Sequence, residues 1–315
     1  RDSLTMALAV DPDDPATLAA TADLYISRLS TSTEHSEIGL LYARRGRERL
    51  LAQHGAQGRG KGRAERGRGA QRHDRGTKGL PDDARALLAR LYLLQGQAEL
   101  DLGHATEGLR SLDESLRLVE LMEARYERAI ALFELCRFAE AATALHTMLA
   151  AGLTTRQTAW AHHQLGLVLE QLGSDEAAER ELAMARTLQP DQFPVPLPID
   201  RMEFRSLVDA EVRGLPKASQ DDLKLVRLET AELPDVADLT TEQPPLSPTI
   251  LGLYRGLPVG EEPSEPRSIV LYRRNLLRAV RSRDELIREI RTTLLHELGH
   301  LHGADEDDLR DQGLQ

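Results

Sequence analysis

A pattern that recurs about every 34 residues between positions 81 and 190 limits the possible folds of this chain more than any other feature. Each copy has small residues at a helix contact, a glycine where a tight turn would fall, and an apolar stretch at helical spacing. A recurrence of this length is typical of stacked helix pairs. Because one pair exposes an apolar face that only its neighbours can bury, the pattern predicts an α-solenoid.

The clearest copy begins with the sequence WAHHQLGLVL at residues 160–169 and ends at Pro190. Its other marked positions are Gly173, Ala178, Leu182 and Ala185, and weaker copies are marked by Gly96, Gly103, Gly108, Leu112, Leu116, Ala129, Leu132, Phe138, Ala141 and Leu145. These copies resemble tetratricopeptide repeats, and a weaker likeness reaches the start of the chain. Residues 1–192 are therefore predicted to form an all-α tetratricopeptide-like solenoid. The resemblance implies a groove that recruits a protein or peptide.

Residues 55–79 interrupt the pattern with alternating glycine and arginine or lysine and almost no apolar residue. Such a composition cannot form a core, so this insertion is predicted to be disordered. It could tether nucleic acid or an acidic partner, because arginine-glycine tracts bind RNA backbone with little sequence preference. Since no aromatic residues are interleaved, a solvated insertion between two repeat helices is the favoured interpretation.

Charge and cysteine content exclude several classes of protein. The 51 acidic and 40 basic residues give a net charge of −11, which argues against a general affinity for DNA or anionic membranes. Cys136 is the only cysteine, so neither an internal disulfide nor a cysteine-based zinc site is possible. No apolar stretch approaches the roughly 18 residues of a membrane span, and a cytoplasmic location is expected.

The C-terminal part, residues 201–315, follows a stiff proline-rich linker at residues 193–200. The sequence predicts helices over residues 201–216 and 284–303, strands over residues 223–230 and 268–272, and mostly loop over residues 233–266.

Two histidines four residues apart, His296 and His300, are predicted to lie on one face of the last helix, where both can reach one ion. Zinc suits this pair, because it accepts neutral imidazole and carboxylate ligands and keeps a position for water in catalytic sites. Glu297, beside the first histidine, would be the general base that takes a proton from that water.

Gly303 is expected to end this helix and let the chain turn back to offer a third ligand. Glu306 is the preferred candidate, but Asp305 and Asp307 are near enough to compete. A structural helix with solvated histidines is the alternative interpretation. The zinc site is favoured because Leu294, Leu295, Leu298 and Leu301 would bury the helix. His302 is predicted to point away from the site, at its rim.

Four sequence blocks between residues 202 and 314 resemble the minimal zincin-like metallopeptidases. They are FRSLVDAE at residues 204–211, LGLYRGLP at residues 251–258, IVLYRRNL at residues 269–276 and IRTTLLHELGH at residues 290–300. The resemblance implies an α+β fold in which a small sheet packs on the motif helix. It also implies zinc-dependent peptidase chemistry at His296, Glu297 and His300.

Further roles near this site are also considered. The strand at residues 268–272 could offer an edge to an extended substrate. Tyr254 or Tyr272 could hydrogen-bond an oxyanion, although ordinary packing is the favoured role of both.

The leading hypothesis is a two-part peptidase whose repeats recruit the protein to be cleaved. The alternative is a non-catalytic interaction scaffold with a structural or sensory metal site, and a third is an RNA-associated adaptor that uses residues 55–79.

Overall fold

The computed structural model describes residues 2–29, 32–57, 79–261 and 266–314. The chain divides into two compact units, Arg1–Ala185 and Arg186–Gln315. The described part of the first unit is built from helices, and the second unit combines helices with a small sheet. The predicted fold class, a helical N-terminal region followed by a small α+β region, is therefore confirmed.

The first unit is a series of antiparallel helix pairs. Its helices are α1 (Asp2–Val10), α2 (Pro15–Asp23), α3 (Thr33–Gln57), α4 (Asp82–Asp101), α5 (Ala105–Leu118), α6 (Met122–Glu134), α7 (Phe138–Leu149), α8 (Thr155–Gln171) and α9 (Asp175–Leu188), the last of which crosses into the second unit. Successive helices from α2 to α8 pack on one another, and α4 also contacts α2 and α6. Each pair is thus buried by its neighbours, as a solenoid requires.

Small residues let the paired helices approach closely. A Cβ placed on Gly96 of α4 would lie 2.6 Å from Leu112 Cγ of α5, and one on Gly166 of α8 would lie 2.6 Å from Leu182 Cγ of α9. Two copies of the repeat therefore make the same glycine-to-leucine contact. This contact explains why the small residue recurs in the sequence pattern.

The predicted disordered insertion at residues 55–79 lies mostly outside the described residues. Helix α3 extends to Gln57, and the description resumes at Gly79, where a turn precedes α4. The disorder of residues 58–78 stays a prediction.

The second unit contains a three-stranded sheet in the order β1-β3-β2. Its elements are α10 (Arg201–Gly214), α11 (Lys217–Asp222), β1 (Arg227–Ala231), α12 (Val236–Leu239), β2 (Gly252–Arg255), β3 (Ser268–Tyr272), α13 (Arg273–Ala279), α14 (Arg283–Leu301) and α15 (Glu306–Asp311). Strand β3 pairs in parallel with β1 and in antiparallel fashion with β2, so that Val270 lies opposite both Glu229 and Leu253.

The prediction that residues 268–272 offer an edge to a substrate is wrong. Strand β3 is central, because β1 and β2 occupy both of its edges. All five of its residues are buried, as expected of an apolar strand covered on both faces.

Two other predicted elements differ from the structure. The strand predicted over residues 223–230 begins only at Arg227, because Leu223–Leu225 form a helical turn that continues α11. The described residues between 233 and 266 are mostly loop, as predicted, but they also contain α12 and β2. Strand β2 has only four residues in a segment rich in proline and glycine, so its apolar pattern is too short to be recognised.

Helix α14 forms much of the core of this unit. It contacts β2, β3, α10, α11 and α13. The core contains Phe204, Val208, Ile269, Leu271, Leu276, Leu286, Ile290, Leu294, Leu298 and Leu301, all buried. His296 and His300 are not among the buried residues of α14, and both line a cavity.

None of the helices in the described ranges combines the length and the apolar character needed to cross a membrane.

Candidate metal centre

Helix α14 begins and ends where local signals place its ends. Ser282 caps its first turn by accepting a hydrogen bond from the backbone N–H of Glu285. At the other end, Gly303 has a φ of 83°, and its N–H donates to the carbonyl of His300 at 3.0 Å. The N–H of Ala304 donates to the carbonyl of Gly299 at 3.1 Å, which completes a glycine-dependent helix end. The chain then reverses into α15, as expected from Gly303.

A cavity of about 580 Å³ lies between α14 and β2. His296, Glu297 and His300 line it from the helix, strand β2 lines it opposite, and residues 303–306 lie at one end. The three residues of the motif thus share one cavity.

The side chains of His296 and His300 from α14 and of Glu306 from α15 converge in this cavity. His296 Nε2 and His300 Nε2 are 3.1 Å apart. The carboxylate of Glu306, at the start of α15, lies 3.8 Å from His296 Nε2 and 3.4 Å from His300 Nε2. Within the described residues, His296, His300 and Glu306 form the one group with the ligand types and spacing for a metal ion.

The hydrogen bonds of the two imidazoles favour a cation between them. His296 Nδ1 lies 2.8 Å from the carbonyl oxygen of Leu314, and His300 Nδ1 lies 3.0 Å from that of Ala304. A carbonyl only accepts, so each Nδ1 carries a proton, and in a neutral imidazole Nε2 then keeps its lone pair. Two lone pairs and a carboxylate then face one another, and a positive charge removes their repulsion.

The spacing of these atoms also fits zinc. Two ligand atoms at about 2.0 to 2.1 Å from a tetrahedral zinc ion lie roughly 3.3 Å apart. The two Nε2 atoms, 3.1 Å apart, are near this value. The Glu306 carboxylate approaches them with its two different oxygens, Oε2 at 3.8 Å from His296 Nε2 and Oε1 at 3.4 Å from His300 Nε2.

The competing carboxylates have other partners. Asp305 caps α15, and its Oδ1 accepts the backbone N–H groups of Asp307 at 3.0 Å and Asp308 at 2.9 Å. Asp307 Oδ1 accepts a hydrogen bond of 2.7 Å from Arg310. Of these three carboxylates, the one that faces the two imidazoles is therefore that of Glu306.

Glu297 is buried between α14 and β2, with only 5% of its surface exposed. Its pKa is raised to about 8, chiefly because burial disfavours the charged form. A hydrogen bond from the Tyr254 N–H opposes the rise, and the negative charge of Glu306 adds to it. A nearby cation would lower this pKa, because positive charge stabilises the carboxylate.

Gly252 lets β2 approach Glu297 this closely. A Cβ at Gly252 would lie 2.8 Å from Glu297 Oε1 and 2.7 Å from Thr293 Cγ2. No sequence pattern predicts a role for Gly252. The backbone N–H of Tyr254 and the carbonyls of Ala304 and Leu314 were not predictable either, because a backbone group leaves no sequence signal of its own.

Of the three other residues predicted near the site, Tyr254 lines the cavity, and Tyr272 and His302 do not. Tyr272 is fully buried in the central strand and does not line the cavity, which agrees with a packing role. Tyr254 lines the cavity, but its hydroxyl donates to the carbonyl of Leu257 at 2.7 Å. His302 is exposed and hydrogen-bonds Asp222 at 3.0 Å, outside the cavity lining.

The chain is similar to a solved structure and, over part of its length, to one family model. A crystal structure of YrrB, described as a TPR protein with an unusual peptide-binding site, is similar to this chain at 16% identity and a TM-score of 0.31, covering 60% of this chain and 93% of that one. No curated protein matches the chain. The family model described as Zincin-like metallopeptidase matches residues 223–314, the range that contains the sheet, the motif helix and Glu306.

Proposed function

We propose that the C-terminal unit is a zinc-dependent peptidase in which His296, His300 and Glu306 bind the metal and Glu297 is the general base. The observation that carries this proposal is the convergence of three acceptor atoms beside a buried carboxylate. The family match of residues 223–314 supports the same class of activity.

The proposed ligands leave room for a reacting water. Three protein ligands are what a catalytic zinc site uses, whereas structural sites are closed by four. When bound, zinc would polarise a peptide carbonyl and make a bound water more acidic at neutral pH.

Glu297 would receive the proton of the attacking water on its carboxylate and later transfer it to the leaving amine. Its cavity-facing position and its contact with the Tyr254 N–H hold the carboxylate in one orientation. His296 and His300 each keep Nε2 aimed at the metal position through their Nδ1 hydrogen bonds.

The cavity lining favours uncharged or basic peptides. The described residues that line it include Glu242, Glu289, Glu297 and Glu306, together with apolar side chains such as Ile250, and no lysine or arginine. A substrate carboxylate would therefore meet like charge in this cavity.

The helix pairs of the N-terminal unit would recruit the protein to be cleaved, or a partner of it. This role is supported by their stacking, because arrays of helix pairs offer extended surfaces on which a peptide or protein docks.

One comparison separates a peptidase from the alternative, an interaction scaffold with a structural or sensory metal site. Purified protein is expected to hold about one zinc per chain, measured by elemental analysis, and to lose it in His296→Ala or His300→Ala. Glu297→Gln is expected to keep the zinc but to stop cleavage of labelled casein and any self-cleavage. A wild-type protein that holds zinc but shows no cleavage above that of Glu297→Gln would favour the scaffold.

A further inference from the structure

Residues 304–314, which we name the C-terminal cap, contain the proposed ligand Glu306 and contact the other two proposed ligands, His296 and His300. Glu306 belongs to the cap and faces both Nε2 atoms. The carbonyl of Ala304, at its start, accepts from His300 Nδ1, and the carbonyl of Leu314, at its end, accepts from His296 Nδ1. The cap thus both supplies a carboxylate and orients the two imidazoles.

The cap is anchored directly on the motif helix. Leu309 is fully buried and packs on Gly299, where a Cβ would overlap its side chain. Because Gly299 lies between the two histidines in sequence, this contact fixes α15 beside them. A larger residue at position 299 would push the cap away.

The Leu314 carbonyl is held in place by the end of α15. The N–H of Leu314 donates to the carbonyl of Leu309 at 3.0 Å, and that of Gly313 donates to Arg310 at 3.0 Å. Gly313 has a φ of 74°, which only glycine adopts readily. The position of the carbonyl therefore depends on this turn.

We infer that the C-terminal cap is a positioning element of the metal site, in which the backbone carbonyl of Leu314 orients His296 for zinc. This inference rests on the proposed ligands His296, His300 and Glu306, and it goes beyond them by assigning the support of His296 to a backbone group. Such partners fix the tautomer and the ring plane of a ligating histidine, and their loss lowers metal affinity about 10-fold to 100-fold.

Zinc affinity of the full chain, measured by competition with a chromophoric chelator, tests this inference. Deletion of residues 312–315 removes the carbonyl but keeps Glu306 and Leu309, and it is expected to weaken zinc binding about 10-fold to 100-fold. Leu314→Ala keeps the carbonyl and is the matched control, with an affinity expected within about twofold of the wild type.

A second variant covers the case in which the deletion disturbs folding. Gly313→Val strains the turn and displaces the carbonyl without shortening the chain, so it is expected to weaken zinc binding as the deletion does. Thermal unfolding of the zinc-free proteins, followed by circular dichroism, shows whether each variant is folded.

The outcomes separate this inference from the proposed function. Wild-type affinity in the deletion and in Gly313→Val would overturn the inference alone, and so would a loss in Leu314→Ala equal to theirs. Failure of the wild-type chain to bind zinc would overturn both the inference and the proposed function.

Discussion

Replacing Gly252 with alanine should displace Glu297 without touching the proposed metal ligands. The added Cβ would lie 2.8 Å from Glu297 Oε1, where ordinary contacts begin at 3.4 Å, so the carboxylate must retreat by about 0.6 Å. The strand backbone accepts alanine, because Gly252 is not among the residues with positive φ. The effect should therefore be steric and local.

A displacement of about this size is expected to lower kcat roughly 10-fold to 100-fold, or about 1.4 to 2.7 kcal/mol of transition-state stabilisation. The assay is cleavage of labelled casein over a range of concentrations, with zinc content measured on the same samples. KM and zinc content should stay near their wild-type values, because neither depends on the position of the proton acceptor.

Gly214→Ala is the matched control. A Cβ at Gly214, at the end of α10, would meet only a side-chain atom of Arg291 at 4.0 Å. It should behave as the wild type. Full kcat in Gly252→Ala would refute the placement of Glu297 as the base, and loss of zinc in that variant would refute the claim that the change is local.

Three further predictions concern the core, the repeats and the acid stability of the second unit. Leu309→Ala should lower the free energy of unfolding of this unit by about 2 to 5 kcal/mol, measured by denaturant titration, because Leu309 is fully buried against Gly299; an unchanged midpoint would contradict this packing. Cys136 has a φ of 56° at the turn between α6 and α7, whereas the corresponding turns after α4 and α8 have Gly103 and Gly173. Because a side chain is strained in this left-handed conformation, Cys136→Gly should stabilise the first unit by roughly 1 kcal/mol, and Cys136→Ala should show no such gain. Arg273, with Arg274 and Arg201, lowers the pKa of Glu232 to about 2. The ionised Glu232 therefore stabilises the folded unit above the usual pKa of a glutamate, and this contribution is lost as the pH falls through about 2. Glu232→Gln should make the midpoint of urea unfolding less dependent on pH between about 4.5 and 2.

The helices could be predicted well because their signals are local. The turns after α4 and α8 contain glycines in the left-handed conformation at the predicted positions. Helix α14 begins one residue before the predicted start, after the capping Ser282. Of its four predicted apolar residues, Leu294, Leu298 and Leu301 are buried, and Leu295 is partly buried against the same core. Each of these features depends on residues within one or two turns of one another.

The sheet could be predicted less well because strand order depends on distant partners. The apolar run at β3 identified a strand, but its central position follows from pairing with β1 and with β2, and β2 was not recognised. The pattern of β3 is in fact more typical of a strand buried on both faces than of an edge.

The third candidate ligand shows how local structure separates residues that spacing leaves equivalent. Asp305, Glu306 and Asp307 are adjacent, so the sequence could not choose among their carboxylates. Once α15 begins after Asp305, that side chain is used to cap the helix, and Asp307 pairs with Arg310 one turn later. Glu306 is left with its carboxylate toward the histidines, and its longer side chain spans the gap. Zinc binding in Asp305→Asn and in Asp307→Asn should therefore stay near the wild-type affinity, whereas Glu306→Gln should weaken it; the reverse order would mean that the cap rearranges around the metal.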